Sequence, residues 1–137
     1  MPESGRETEA KFYVQDLDRI RAFLGDADAR VVQTRVLERN LRFDLPDASL
    51  RTGRRVLRLR YDTAARLTYK GGNDSTGGVL SREEIEFVVE DFEKAKKFLE
   101  ALGYQLIFYY EKYRTTYELD QNSIMLDELP YGNFVEI

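Results

Sequence analysis

Charged residues recur every second position along this chain, and any chemistry it performs has to come from them. Glu7, Glu9 and Lys11 in Glu7-Thr8-Glu9-Ala10-Lys11 are the first case. On a β-strand they project from one face, while Thr8, Ala10 and Phe12 project from the other. A face of three consecutive charges does not pack on an apolar core; it needs water, a countercharged wall or a bound ion. The same spacing returns in Arg58 and Arg60, in Arg82, Glu84 and Glu86, and in Lys112 and Arg114, with Lys70, Asp127 and Glu136 on further strand-like segments. On one strand alone, such charges are a solvated face with cross-strand ion pairs. On six or more strands they imply more. Closing those strands into a barrel would bury the charges together, and imperfectly paired buried charges are costly. A cavity holding many Arg/Lys and many carboxylates suits a polyanion carrying divalent cations, with cations clamping phosphate oxygens and carboxylates holding metal.

Other chemistries drop out. The chain has no Cys and no His, which removes thiol nucleophiles, Cys/His zinc sites and histidine acid–base catalysis. A metal site would have to be built of carboxylates, favouring Mg²⁺, Mn²⁺ or Ca²⁺. The net charge of −4 argues against a broad nucleic-acid surface, although Arg51 to Arg60 is densely basic. Gly71 to Gly78 lacks the lysine and Ser/Thr of a phosphate-binding P-loop and reads as a hairpin loop. Tyr109, Tyr110, Tyr113 and Tyr117 read as strand packing rather than base stacking. No segment reads as a signal peptide or a membrane span, so a cytoplasmic protein without membrane or nucleic-acid partners is expected.

The elements that must position these charges are legible in turn. A strand over about 6–14 precedes a helix capped by Asp16 or Asp18, with Leu17, Ile20, Phe23 and Leu24 on its apolar face and Gly25 at its end. Residues 31–44 read as one long strand or two, ending at the Pro46-Asp47 turn. Strands over 56–61 and 66–70 follow. After the Gly-rich loop come a strand over 82–90 and a helix capped by Asp91. Phe92, Ala95, Phe98, Leu99 and Leu102 form that helix's apolar face, and Gly103 stops it. Strands over 104–119, 123–129 and 133–137 complete the chain. A shift of 75 positions lays Asp16 on Asp91, Leu24 on Leu99, and Glu7/Glu9/Lys11 on Arg82/Glu84/Glu86. Each half then reads strand–helix–strand–strand–strand. One α+β domain over residues 1–137 is predicted, an eight-stranded antiparallel β-barrel with its helices packed outside.

These motifs, in this order, resemble the CYTH superfamily, the triphosphate tunnel metalloenzymes. That family includes class IV adenylate cyclases, thiamine triphosphatases and inorganic tripolyphosphatases. Its opening E-x-E-x-K is similar to Glu7-Thr8-Glu9-Ala10-Lys11, and its basic strands to Leu57-Arg58-Leu59-Arg60 and Leu67-Thr68-Tyr69-Lys70-Gly71. Its middle acidic strand resembles Arg82-Glu83-Glu84-Ile85-Glu86, its K-x-R is Lys112-Tyr113-Arg114, and its closing segment resembles Leu126 to Ile137. In the family a second acid two positions after the Glu136 equivalent and a C-terminal helix follow, so the C-terminal helix is expected to be missing here.

The resemblance implies a tunnel open to a small-molecule triphosphate and a requirement for Mg²⁺ or Mn²⁺. Arg58, Arg60, Lys70, Arg82, Lys112 and Arg114 would bind phosphate. Glu7, Glu9, Asp127 and Glu136 would bind metal, with Glu84 and Glu86 holding a second ion or orienting water. Lys11 would position or deprotonate the attacking water. Hydrolysis of a simple triphosphate ranks first, because it demands least beyond the clamp. Cyclisation of ATP to cyclic AMP and pyrophosphate ranks second, and a non-catalytic polyphosphate-binding module third. A monomer or homodimer is expected.

Overall fold

The computed structural model describes residues 5–72 and 74–137. In chain order these form β1 (Arg6–Val14), α1 (Leu17–Asp26), β2 (Arg30–Asp44), α2 (Ser49–Thr52), β3 (Val56–Tyr61) and β4 (Ala65–Lys70). They continue with β5 (Asp74–Thr76), β6 (Val79–Val89), α3 (Phe92–Ala101), β7 (Gln105–Leu119), β8 (Asn122–Leu129) and β9 (Gly132–Glu136). The strand order is β1-β9-β8-β7-β2-β3-β4-β6-β5, and β6 also pairs with β1. Eight strands therefore form a closed ring of hydrogen-bonded neighbours, an antiparallel β-barrel, with β5 added at β6. The Glu84 N–H donates to the Gly5 carbonyl at 2.8 Å where β6 meets the start of β1. Among the described residues no helix is long and apolar enough to cross a membrane.

The chain divides into two compact units, one of residues 1–8 and 39–110, the other of residues 9–38 and 111–137. In the first, Leu99 of α3 packs with Leu41, Phe43 and Leu59, supported by Leu57, Leu67, Phe92 and Ala95. In the second, Leu17 and Leu24 of α1 pack with Ile124, Leu126 and Val135. These cores have a consequence for chemistry. Leu59 and Leu126 are fully buried, and each lies next in sequence to a charged residue on the opposite strand face. Covering one face with a helix leaves the charged face as the only other place for those side chains.

Both helices start as their sequences predict. The Asp16 carboxylate accepts from the Asp18 N–H at 2.9 Å, and the Asp91 carboxylate accepts from the Lys94 N–H at 3.0 Å. Gly25 lies inside α1 rather than ending it. Phe23, Phe98 and Leu102, placed by periodicity on buried faces, are 67%, 64% and 60% exposed. A helix that rests on a sheet by one narrow stripe buries Leu24 and Leu99, and their neighbours Phe23 and Phe98 point about 100° away. The segment read as a loop over 71–78 contains β5, which pairs through Thr76 with Val79 of β6. Gly77 and Gly78 both have positive φ, as a tight type I′ hairpin turn requires. The position of Asn73 lies outside the described residues. Helix α2 was not foreseen, since four residues carry no periodicity.

Candidate functional site

In the first unit the charged cluster is set by strand register. Arg58 stands opposite Thr68, which stands opposite Glu86, while Lys70 stands opposite Glu84. Lys70 Nζ donates to both oxygens of Glu7, at 2.8 and 3.0 Å, and lies 3.5 Å from Glu84. Arg82 Nε is 3.8 Å from Glu7, and Arg58 Nη2 is 4.0 Å from Glu86. The Thr68 hydroxyl donates to Glu86 at 2.6 Å, which turns that carboxylate toward β4. Arg60 Nε donates to the Asn40 side-chain oxygen at 3.1 Å. Arg58, Arg60 and Lys70 are all buried. The Nε of Arg58 and of Arg82 is buried with no hydrogen-bond acceptor among the described residues.

The carboxylates Glu7 and Glu84 meet in this cluster. Burial pushes Glu84 up to about 7, and the hydrogen bond and negative charge of Glu7 push in the same direction. Burial would also raise Glu7, but its hydrogen bond to Glu84 and the Lys70 ammonium outweigh this and hold it below its ordinary value. Up to about neutrality the pair therefore retains a proton that two ordinary carboxylates would have released.

The second unit gathers Lys112, Arg114, Asp127, Glu136 and Glu38. Asp127 accepts from Lys112 Nζ at 3.0 Å and from Arg114 at 2.7 and 2.8 Å. Arg114 also donates to Glu136 at 3.1 Å, and its Nε lies 3.6 Å from Glu38. Burial opposes the charge on Asp127, yet the Arg114 guanidinium and the Lys112 ammonium hold it below its usual range. Burial and the neighbouring Arg114 lower Lys112, against the pull of Asp127, Glu38 and Glu136. Lys11 is half exposed, 3.8 Å from Glu136 and over the Phe134 ring. Lys112, with Leu37, Tyr113, Glu128 and Pro130, helps line a cavity of about 320 Å³ in this unit. There the Arg35 guanidinium lies 3.6 Å over Tyr113 and donates to Glu128 at 3.0 Å.

The residues singled out from sequence thus divide by unit. Glu7, Arg58, Arg60, Lys70, Arg82, Glu84 and Glu86 belong to the first; Glu9, Lys11, Lys112, Arg114, Asp127 and Glu136 belong to the second. Sequence reasoning missed Glu38 and Asn40, both fully buried on β2, and Thr68 on β4. Their signal was the alternation of Glu38, Asn40 and Arg42 with apolar Leu37, Leu41 and Phe43.

Among the described residues no three Asp or Glu side chains converge as a metal-binding group. Mg²⁺, however, is commonly held by one or two carboxylates, with water and substrate phosphate completing its shell. The all-oxygen pair Glu7 and Glu84, each within 3.5 Å of Lys70 Nζ, fits that donor set.

The family profile for the CYTH domain matches residues 5–137. A search of curated protein sequences finds no match. Among solved structures, an adenylate cyclase candidate from Vibrio parahaemolyticus superposes with a TM-score of 0.83 at 21% identity, over 96% of this chain and 73% of that one. A protein from Pyrococcus horikoshii gives 0.79 at 25% identity, over 95% and 76%. An adenylyl cyclase candidate from Hippeastrum, with a dominant triphosphatase activity, gives 0.76 at 18% identity, over 95% and 78%.

Proposed function

Because the chain belongs to the CYTH family, we propose that it is a divalent-metal-dependent hydrolase of a small triphosphate. One observation carries this reading. In the first unit Arg58, Lys70 and Arg82 gather around Glu7, Glu84 and Glu86, and among the described residues the Nε groups of Arg58 and Arg82 have no acceptor. Buried donors without acceptors cost about 1–3 kcal/mol each, and phosphate oxygens would satisfy them. An opposite unit charge about 4 Å away is worth on the order of 4 kcal/mol at an effective dielectric near 20, before desolvation.

In hydrolysis, water attacks the terminal phosphorus and gives up its proton, the bond to the bridging oxygen breaks, and negative charge accumulates on the departing diphosphate. Arg58, Arg60, Lys70 and Arg82 would hold the phosphate oxygens and balance that charge. Glu7 and Glu84 would hold Mg²⁺ or Mn²⁺, whose contribution is positive charge at the transferring phosphoryl group. Glu86, fixed by Thr68, would orient water. In the second unit the family motifs assign phosphate to Lys112 and Arg114, metal to Glu9, Asp127 and Glu136, and orientation of water to Lys11. The triphosphatase activity of the Hippeastrum neighbour agrees with ranking hydrolysis before cyclisation.

The test is incubation with tripolyphosphate, ATP and thiamine triphosphate plus Mg²⁺ or Mn²⁺, measuring phosphate, pyrophosphate and cyclic AMP. Phosphate release is expected, abolished by Arg58→Ala and by Asp127→Asn and retained by Glu93→Gln on the first turn of α3. Cyclic AMP with pyrophosphate would replace hydrolysis with cyclisation. Metal-dependent binding without turnover would make the protein a polyphosphate-binding module. No binding of any triphosphate would overturn the reading.

A further inference from the structure

Asn40 sits on β2 directly opposite Arg60 and is completely buried. A neutral amide in such a place needs all its polar atoms satisfied. Its oxygen is committed, because Arg60 Nε donates to it at 3.1 Å. A guanidinium only donates, so this contact fixes which end of the amide is oxygen and which is nitrogen. The Nδ2 end is then a buried donor, and among the described residues it has no acceptor. The third such donor in the unit, it shares its condition with the Nε groups of Arg58 and Arg82. If Asn40 only braced Arg60, an aspartate would serve better, pairing charge with charge. The amide offers something an aspartate lacks, which is a donor.

We infer that Asn40 is an anion ligand, its Nδ2 donating to a phosphate oxygen held by the cations of the first unit. The inference rests on the anion-binding reading of that unit and adds to it a neutral contact. Such a contact contributes to binding without adding to the mutual repulsion of Arg58, Arg60, Lys70 and Arg82. It also makes the recognition directional, since an amide N–H rewards an oxygen placed along its axis more than a diffuse negative charge. The ligand class is therefore an oxyanion with a fixed position, such as a phosphate group of a polyphosphate chain.

The experiment is a titration of the isotopically labelled full chain with tripolyphosphate, following the Asn40 side-chain NH₂ and the Arg58 Nε–H by NMR. Both signals are expected to shift and to saturate together. In parallel, Asn40→Asp and Asn40→Leu are each expected to weaken tripolyphosphate binding by about tenfold to a hundredfold, the size of one hydrogen bond to a charged group. Asn40→Asp keeps the acceptor for Arg60, so its melting temperature should stay within a few degrees of wild type. Saturating shifts at Arg58 with a stationary Asn40 NH₂ would overturn this inference and leave the anion site standing. So would an Asn40→Leu variant that binds as wild type. No saturating shift at either group would overturn the anion site and this inference together.

Discussion

The two charged clusters are built from the same residue types but are balanced differently. In the second unit, Asp127 is shared by Lys112 and Arg114, and Arg114 reaches Glu136 and Glu38 as well. Both buried cations there, Lys112 and Arg114, are hydrogen-bonded to a carboxylate. In the first unit, Arg58 and Arg82 approach carboxylates only at 4.0 and 3.8 Å, and each keeps an unsatisfied Nε. Its carboxylates are also diluted, because Glu84 holds a proton up to about pH 7. The first cluster thus keeps buried donors open toward an anion, while the buried cations of the second are held by carboxylates. Residue type alone does not make a binding site; what matters is whether the local ledger of charge closes.

The largest consequence concerns stability. Removing the shared carboxylate with Asp127→Ala takes the hydrogen-bonded partner of buried Lys112 and two bonds of Arg114, which keeps Glu136, and breaking a buried pair in this way costs about 3–5 kcal/mol. The matching change in the first unit, Lys70→Met, should cost clearly less. There the stranded Glu7 and Glu84 can relieve each other by protonation, which guanidinium and ammonium groups flanked by one another cannot do near neutral pH. Urea unfolding at pH 7 without divalent ions would measure both. If Lys70→Met proved the more damaging, the contrast between a closed and an open cluster would be wrong.

A smaller effect separates the units by pH. Glu84 has its proton affinity raised in the folded state, to about 7 from an ordinary value of 4.5. Between those values the folded protein holds a proton that the unfolded chain has released, so stability falls as pH rises. The contribution is fully present below about pH 4.5 and gone once pH passes about 7. For the metal-free protein, a melting temperature lower by a few degrees at pH 8 than at pH 5 is expected. Glu84→Gln should flatten that slope, because glutamine stays neutral throughout. Glu136→Gln in the second unit should leave it. An unchanged slope in Glu84→Gln would mean that the Glu7–Glu84 contact is not what titrates.

Much of this was legible in the sequence because period-2 alternation directly encodes strand faces. Arg58/Arg60 against Leu57/Leu59 needed no tertiary knowledge. The helix caps Asp16 and Asp91 were equally local. What failed was longer in range. The 75-residue echo aligns the helices and carries β2 onto β7, but it places buried Glu38 on exposed Tyr113. The buried faces match at a shift of 74, which puts Glu38 on Lys112 and Asn40 on Arg114. A one-residue slip exchanges the two faces of a strand, so the 75-residue echo points to neither residue. Burial of Phe23 and Phe98 was misjudged for a related reason, since periodicity shows an apolar face but not how wide a stripe the sheet covers.

Asp44 provides the control for Asp127. Both carboxylates are completely buried, and both are held below their ordinary values, Asp44 to about 2. Burial works against Asp44; its ion pair with Arg51 at 2.8 Å and the N–H groups of Leu50, Arg51 and Leu45 overcome it. Those partners are the start of α2 and the chain leading into it, and Arg51 is half exposed, so the carboxylate acts as a local clasp. Asp44→Asn keeps one acceptor and most of the shape, and should cost about 1–2 kcal/mol, the range of a lost helix cap. Wild-type stability from this group is fully present above about pH 4 and declines as pH falls through about 2, and the variant should lack that acid limb. Tripolyphosphate binding should be unchanged in it, whereas Arg58→Ala should lose it. If Asp44→Asn weakened binding as much as Arg58→Ala, burial of charge in the first unit would be one connected network, and the line drawn here between clasp and anion site would not hold.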